Sequence, residues 1–376
     1  MRPGARAEFW RWWGLRVCYR AMQAEYQAIV SGVARRRLGR MQEAGLIAVI
    51  VILAGLLTAF GGSITDRAGN TVNNFFRADN LLGGILTPMS TYGIMAVGVT
   101  FVIIAGGIDI SVGAVVALAA LGAVGVLQQL DAAASTWVTI PVGFGVAGGI
   151  GLLCGLLNGA IVVELRMHPF IVTLGTMSIF RGICNVAVTL KTLPSPGKKV
   201  PDSYTLGFLQ WHPEKYPGLL PVPMVVMLAC VVLGWFYLHH MVAGRENYAI
   251  GGNEEAARFS GIRVNRVKLR VYALSGLAAG VAGMVYAGYY GSASSITGDG
   301  WELMVVAAAV VGGASFNGGR GTALGALLGT LVIRLIENGI YIMQYDQQYS
   351  KIIVGAAIIV AVAVDRLSEY VGRRRS

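Results

Sequence analysis

The side chains that could do chemistry are few in this 376-residue chain, and none forms a catalytic or nucleotide-binding pattern. Gly197–Lys198 is followed by Lys199 rather than Ser or Thr, and Thr192 stands where a phosphate-binding loop needs its first glycine. The four histidines lack metal-ligand spacing, because the adjacent His239 and His240 project in different directions on a helix. We therefore expect no enzyme activity, no metal site and no cofactor bound by this chain.

Composition places the chain among membrane proteins. Hydrophobic residues make up 55% of it and charged residues 13%, against about 25% charged in soluble proteins. The 52 glycines are scattered through apolar runs, where small residues let transmembrane helices approach closely. The net charge of +11 comes from basic residues in loops and tails, which is typical of a multi-pass protein rather than of a nucleic-acid-binding protein.

Apolar runs of roughly 17–25 residues match a hydrocarbon core of about 30 Å, so the sequence predicts an all-α polytopic membrane protein. We count about ten transmembrane helices, although the glycine-rich pieces near residues 106 and 312 are also compatible with re-entrant segments. The predicted spans are Ala44–Phe60, Leu81–Ala105, Ile110–Leu130, Val138–Val163, Phe170–Leu190, Leu219–Leu238, Val267–Tyr290, Trp301–Gly312, Gly321–Met343 and Lys351–Val364.

Three regions are predicted along the chain: a basic leader at 1–43, a transmembrane domain at 44–366 and a basic tail at 367–376. The leader is either an amphipathic helix on the inner membrane face or a partly disordered basic tail. Basic residues concentrate in the leader, the central loop and the tail. By the positive-inside rule, we expect a multi-pass protein of the cell (inner) membrane with both termini cytoplasmic.

The most charged stretch between the apolar halves is Gly244–Ile262, which reads GRENYAIGGNEEAARFSGI. Asn253 is a suitable N-cap, and carboxylates at Glu254 and Glu255 favour the positive end of a helix dipole. Gly261 is positioned to end the helix. The pattern predicts a short exposed helix, which is also compatible with an ordinary cytoplasmic loop.

Two glycine-rich motifs each end one span and begin the next. The first glycine loop (Gly106–Gly113) reads GGIDISVG, and the second glycine loop (Gly312–Gly321) reads GGASFNGGRG. Glycine permits sharp backbone reversal and close packing, so both are candidate hinge or re-entrant segments. For Asp109 we favour helix capping through the Ser111 turn over a hinge role. The candidate hinge residues are Gly106, Gly107, Asp109, Ser111, Gly312, Gly313 and Asn317.

These motifs together resemble the sugar-importing ABC permeases of the ribose type, over nearly everything from Asn80 to Asp365. The resemblance is carried by GVTFVIIAGGIDISVGAVVALAA, GLLNGAIVVELRMHPFIVTLGTMSIFRGI, the central charged stretch, TGDGWEL followed by VVGGASFNGGRGTALGALL, and KIIVGAAIIVAVAVD, in that order. It implies the ten-span permease fold of type II ABC importers.

The resemblance also implies a function and partners. The chain would be the permease subunit of an ATP-driven, binding-protein-dependent importer of a ribose-, xylose- or galactose-like monosaccharide. Its partners would be a second permease copy (identical or a paralogue), two cytoplasmic ATPases that use ATP and Mg, and a periplasmic or extracellular sugar-binding protein. The coupling loop (residues 239–266) would dock on the ATPase through Gly251, Gly252, Asn253, Glu254, Glu255, Ala256, Ala257, Arg258, Ser260 and Gly261.

A path for neutral polyols needs modest hydrogen-bonding groups and no tight pocket. Each candidate below is equally typical of a helix–helix contact. Arg181 and the Arg334/Glu337 pair are expected to be structural, since the pair is three residues apart on one helix. The candidate path residues are Asn158, Thr173, Thr176, Ser178, Asn185, Ser315, Asn317, Asn338 and Tyr341.

Three alternatives remain open from the sequence. An ion-gradient-driven secondary transporter would need intramembrane carboxylates, for which Asp109 and Glu337 are the only candidates. A branched-chain amino-acid ABC permease shares the implied fold and differs only in motif detail. A third alternative is a membrane scaffold that transports nothing, and the long leader is the only feature that indicates it.

Overall fold

The computed structural model describes residues 43–65, 69–188, 192–205, 221–346, 348–350, 352–353, 355–356 and 359. The predicted leader apart from Glu43, the predicted tail and most of the last predicted span lie outside these residues. The three-region division of the chain and the count of ten spans therefore stay predictions.

Helices dominate the described part of the chain, and a π-helical turn at Asp79–Leu86 leads into the second helix. Two short antiparallel strand pairs lie outside the helices, β1 (Ser63–Thr65) with β2 (Thr71–Asn73) and β3 (Thr192–Leu193) with β4 (Ala293–Ser294). The helices are α1 (Glu43–Phe60), α2 (Thr87–Ile104), α3 (Val112–Leu127), α4 (Thr136–Glu164), α5 (Pro169–Ala187), α6 (Asp202–Tyr204), α7 (Val222–His240), α8 (Val242–Gly252), α9 (Glu254–Phe259), α10 (Val264–Tyr290), α11 (Trp301–Val311) and α12 (Ala323–Ile342).

Seven helices in the described part of the chain are long and apolar enough to cross a membrane. They are α1, α2 with its π-helical turn, α4, α5, α7, α10 and α12, while α3 and α11 are shorter apolar helices. The predicted all-α polytopic fold is thus confirmed. Both glycine loops connect successive helices, α2 to α3 and α11 to α12.

The core is built around α2, which packs against α7, α10, α11 and α12. Only Pro88 and Tyr92 of its 18 residues are not fully buried. A helix that is apolar all round belongs in the interior of a bundle. By contrast, α1, α5 and α7 expose apolar side chains, as expected for helices facing lipid or another subunit.

Among the described helices, α4 and α10 share the most extensive contact. A Cβ built on Gly151 would overlap the Gly276 carbonyl oxygen, and one on Gly276 would overlap the Gly151 carbonyl oxygen. Gly155 and Gly280 extend the same contact, so each helix contributes a G-x-x-x-G pair. Backbone therefore touches backbone, as the small residues of membrane helices permit.

The α4–α10 contact predicts opposite effects for two neighbouring glycines. Gly151→Ala should destabilise the protein by about 1–3 kcal/mol, because the added methyl must push two backbones apart. Gly149 is the matched control, since a Cβ there has nothing within 4 Å. Gly149→Ala should be neutral or stabilising, because alanine favours a helix over glycine. Thermal melting of both purified variants in detergent measures the difference, and equal melting temperatures would contradict the contact.

Candidate functional site

The coupling loop contains two helices, α8 and α9, which meet at Asn253. The Asn253 side chain accepts a hydrogen bond from the backbone N–H of Ala256 at 2.9 Å, as an N-cap does. Gly261 has φ +85°, a left-handed conformation that ends the segment. The predicted start and end of α9 are therefore confirmed, whereas the sequence did not predict the helix α8. Gly251 and Gly252 lower the helix propensity of this segment, so the sequence pattern did not indicate α8.

Ion pairs fix the coupling loop to the first turns of α10. Glu254 accepts from Arg258 at 3.0 Å and from Lys268 at 2.8 Å. Glu246 on α8 accepts from Arg270 at 3.2 Å. Such partly exposed pairs contribute only about 0–1 kcal/mol each, but they fix the position of α8 and α9 relative to α10.

The outward side of α9 is almost entirely solvent-accessible. Ala257 is the one residue of α9 that is buried, whereas the Phe259 side chain is 91% exposed. Glu255 and Ser260 are exposed on the same short segment. A solvent-exposed aromatic side chain among charged residues is the type of group that anchors protein–protein interfaces.

The C-terminal end of α8 packs against both glycine loops. The backbone N–H of Gly319 donates to the Ile104 carbonyl at 2.8 Å. A Cβ on Gly251 would overlap that same carbonyl, and Gly318 lies against Gly251 and Gly106. We call these five residues the glycine junction. Three segments that the sequence presents separately, the coupling loop and the two glycine loops, therefore meet through their backbones.

Two polar side chains on α8 reinforce this contact. The buried Asn247 donates from Nδ2 to the Phe101 carbonyl at 3.0 Å, and Tyr248 donates from Oη to the Gly321 carbonyl at 2.7 Å. Burial raises the pKa of Tyr248 to about 12, so its hydroxyl remains a donor at alkaline as well as neutral pH. Sequence reasoning missed both residues, because a polar residue in a charged stretch gives no sign that it is buried.

Asp109 lies at the centre of a buried network beside the glycine junction. Its Oδ1 accepts from the Ser111 N–H at 3.0 Å and hydroxyl at 2.7 Å, and its Oδ2 accepts from the Ser275 hydroxyl at 2.9 Å. Asn158 donates to the Ser111 hydroxyl at 2.7 Å. The network ties the start of α3 to α4 and α10. Both carboxylate oxygens are occupied by neutral donors.

The other hinge candidates lie in or beside the second glycine loop. Gly312 packs against the Gly325 carbonyl of α12, and Gly313 adopts φ +93°. Asn317 is exposed within that loop. Gly107 belongs to the first loop and lies beside the Tyr272 hydroxyl.

The candidate path residues do not converge on one site. Asn338 exchanges two hydrogen bonds with Asn80, at 2.8 and 3.2 Å. Within the described part of the chain, one group is buried and the other is exposed. The buried group comprises Asn158, Thr173, Thr176, Ser315 and Asn338. The exposed group comprises Ser178, Asn185, Asn317 and Tyr341.

Arg181 and the Arg334/Glu337 pair have partners within the described part of the chain. Arg181 donates to the carbonyls of Ser295 at 2.8 Å and Thr297 at 2.7 Å, which holds the loop between α10 and α11. Arg334 pairs with Glu337 three residues further along α12. Both arrangements agree with the structural roles expected from the sequence.

Comparison with known proteins identifies the family of this chain. A family model described as the branched-chain amino acid transport system / permease component matches residues 81–362. The chain belongs to this family of permeases. The match covers α2 to α12, including the coupling loop, both glycine loops and the Asp109 network.

Individual relatives are similar over most of their length. The chain is 36% identical to the ribose import permease protein RbsC of Bacillus subtilis, over 78% of this chain and 86% of the relative. It is 34% identical to the D-allose transport system permease protein AlsC of Escherichia coli, over 84% and 90%. It is also 34% identical to the autoinducer 2 import system permease protein LsrD of Escherichia coli, over 72% and 79%. No solved structure matches the chain significantly.

These relatives confirm the resemblance to ribose-type ABC permeases. All three are named as permeases of import or transport systems, and none is named as an enzyme. Together with the apolar helices, they support a multi-pass inner-membrane protein.

The glycine junction predicts a sharp contrast between adjacent residues. Gly251→Ala should loosen α8 from both glycine loops, raising amide hydrogen exchange at Gly318–Gly321 at least tenfold, because its methyl has no room. Gly252→Ala is the matched control, since a Cβ there has nothing within 4 Å. Mass-spectrometric hydrogen exchange on both variants tests this. Wild-type exchange in Gly251→Ala would show that the junction does not hold α8.

Proposed function

We propose that the chain is the transmembrane permease subunit of an ATP-driven, binding-protein-dependent importer of monosaccharides. Relatives named for ribose and D-allose transport support the substrate class. The observation that carries the coupling role is the contact of α8, next to the exposed helix α9, with the backbone of both glycine loops. A motion imposed on α9 reaches the transmembrane helices through that contact.

In this proposal, energy comes from a separate cytoplasmic ATPase that uses ATP and Mg. The exposed face of α9, with Phe259 at its end, docks into a groove on that ATPase. Glu255 and Arg258 surround the aromatic side chain with charges that select the orientation of docking. Because Glu254 is already paired with Lys268, it fixes α9 to α10 rather than contacting the partner.

The proposed orientation has both termini and the coupling loop in the cytoplasm. The basic residues of the coupling loop and its flanks support it, since cytoplasmic loops carry an excess of Lys and Arg. With this orientation, α10 starts at the cytoplasmic side and ends at the outer side. A sugar-binding protein would deliver substrate to that outer side.

We place the sugar path along α5, between this chain and a second permease copy. Gly175, Ser178, Gly182 and Asn185 repeat at helical spacing and are all exposed. A strip of small and polar residues is unfavourable against lipid and suited to a watery interface between subunits. Of the candidate path residues, Ser178 and Asn185 belong to this strip.

Alternating access follows from two-state movement of packed helices. Closing of the ATPases on ATP would move α9, and α8 would carry the motion into the ends of α2 and α11. The glycines of the junction allow the backbones to shift without displacing side chains. The Asp109 network would keep α3, α4 and α10 together during that shift.

The description of the matching family favours a second candidate, a branched-chain amino-acid permease. Uptake of labelled D-ribose against labelled L-leucine in the complete importer separates the two. An ion-gradient mechanism is less well supported, because Asp109 is bonded to neutral donors and Glu337 is paired with Arg334.

The coupling role predicts that Phe259→Ala weakens association with the ATPase about tenfold or more, since buried aromatic anchors dominate interface energies. ATP hydrolysis stimulated by the binding protein should fall with it. Phe76→Ala is the control, because Phe76 is also exposed, at 61%, but precedes the first span of the matched family region. Co-purification and ATPase assays on proteoliposomes measure both. Equal association of the two variants with the ATPase would refute docking through Phe259.

A further inference from the structure

A small cavity lies at the end of the helix bundle opposite the coupling loop. It encloses about 160 Å³ between α2, α7, α10, α11 and α12. We call it the aromatic cavity, and its principal lining residues are Thr91, Tyr92, Tyr286, Tyr290, Trp301 and Arg334. Pro88 and Tyr92, the two residues of α2 that are not fully buried, both line it.

The walls are aromatic rings in mutual contact. The Tyr92 and Trp301 ring centroids are 4.8 Å apart, Tyr286 and Trp301 are 5.5 Å apart, and Tyr286 and Tyr290 are 4.5 Å apart. An interfacial aromatic belt points its rings toward lipid headgroups. Here Tyr92, Tyr286 and Trp301 are partly buried and enclose a space, while Tyr290 is 53% exposed at its edge.

One cation faces the rings without giving the cavity a net charge. The Arg334 guanidinium lies 5.5 Å from the Tyr92 ring centroid and pairs with Glu337. Its Nε is buried and has no hydrogen-bond partner within the described part of the chain. A buried donor without a partner is destabilising, and an acceptor on a ligand would satisfy it.

Size and chemistry together select a class of ligand. A cavity of about 150 Å³ holds benzene, so the aromatic cavity has room for one six-membered ring. The C–H face of a pyranose packs on aromatic rings, and its hydroxyl edge can bond to phenols, Thr91 and Arg334. A sugar phosphate or a free amino acid brings charges for which the cavity has no unpaired counterpart, because Arg334 is already paired with Glu337.

We propose that the aromatic cavity is an entry site for a neutral monosaccharide, occupied after release from the binding protein and before the path along α5 opens. This assignment rests on the proposed import function and adds a substrate-binding site that the proposed function does not specify. Stacking and one guanidinium give weak binding, which suits a site that must pass its ligand on.

The test replaces one tryptophan that lines the cavity and, as a control, a tryptophan that lies outside it. Trp301→Ala should raise the KM for D-ribose uptake about tenfold in proteoliposomes that contain the complete importer. Trp137→Ala is the matched control, because Trp137 is 90% exposed at the start of α4 and lies outside the cavity. Its KM should equal that of the wild type. Equal KM values for both variants would overturn the assignment.

Binding to the permease alone is measured separately by saturation-transfer NMR, with D-ribose, D-ribose 5-phosphate and L-leucine as probes. Saturable transfer to D-ribose that is lost in Trp301→Ala supports the cavity, and transfer unchanged in that variant overturns it. If the complete wild-type importer moves L-leucine but no sugar, the proposed function fails, and this binding result still decides the cavity.

A milder variant guards against loss of folding. If Trp301→Ala does not purify as a folded protein, the double variant Tyr92→Phe, Tyr286→Phe keeps both rings and removes two hydroxyls. It should raise the KM for D-ribose about threefold. An unchanged KM in this variant would overturn the hydrogen-bonding role given to the cavity.

Discussion

The structure depends on backbones that touch where side chains would normally separate them. At the glycine junction, Gly251 leaves room for the Ile104 carbonyl, and Gly319 donates its N–H to the same oxygen. This hydrogen bond joins the end of a transmembrane helix to a loop more than 200 positions away along the chain. Since no side chain lies between the segments, displacement of one is transmitted to the other directly. The proposed coupling function requires that property.

Much of the fold follows from the sequence because its causes are local. Asn253 and Gly261 delimit α9 through a cap and a left-handed turn, both of which depend on residue type alone. Apolar run length likewise fixes where the membrane helices lie. The close packing of α4 on α10 was suggested only by the abundance of glycine, because sequence spacing does not name the partner helix.

The site was less predictable, for physical reasons. Asn247 and Tyr248 lie in a polar stretch, and nothing local distinguishes a buried anchor from a solvated residue. Asn158 and Thr173 were candidates for a sugar path because they are polar, but burial gives them partners within the chain. The aromatic cavity needs rings from helices that are distant in sequence. Its walls become visible only when α2, α10 and α11 are packed together.

A single helix has both proposed binding regions attached to it. Near its start, α10 holds the coupling loop through Lys268 and Arg270, and near its end it contributes Tyr286 and Tyr290 to the aromatic cavity. At 1.5 Å per residue, its 27 residues span about 40 Å. Because α10 is locked to α4 by glycine contacts, it can tilt only together with its neighbour. The proposed sugar entrance and the proposed ATPase contact then lie at opposite ends of one rigid helix. Binding of sugar at the entrance would shift the ATPase contact on the other side of the bilayer through that helix alone.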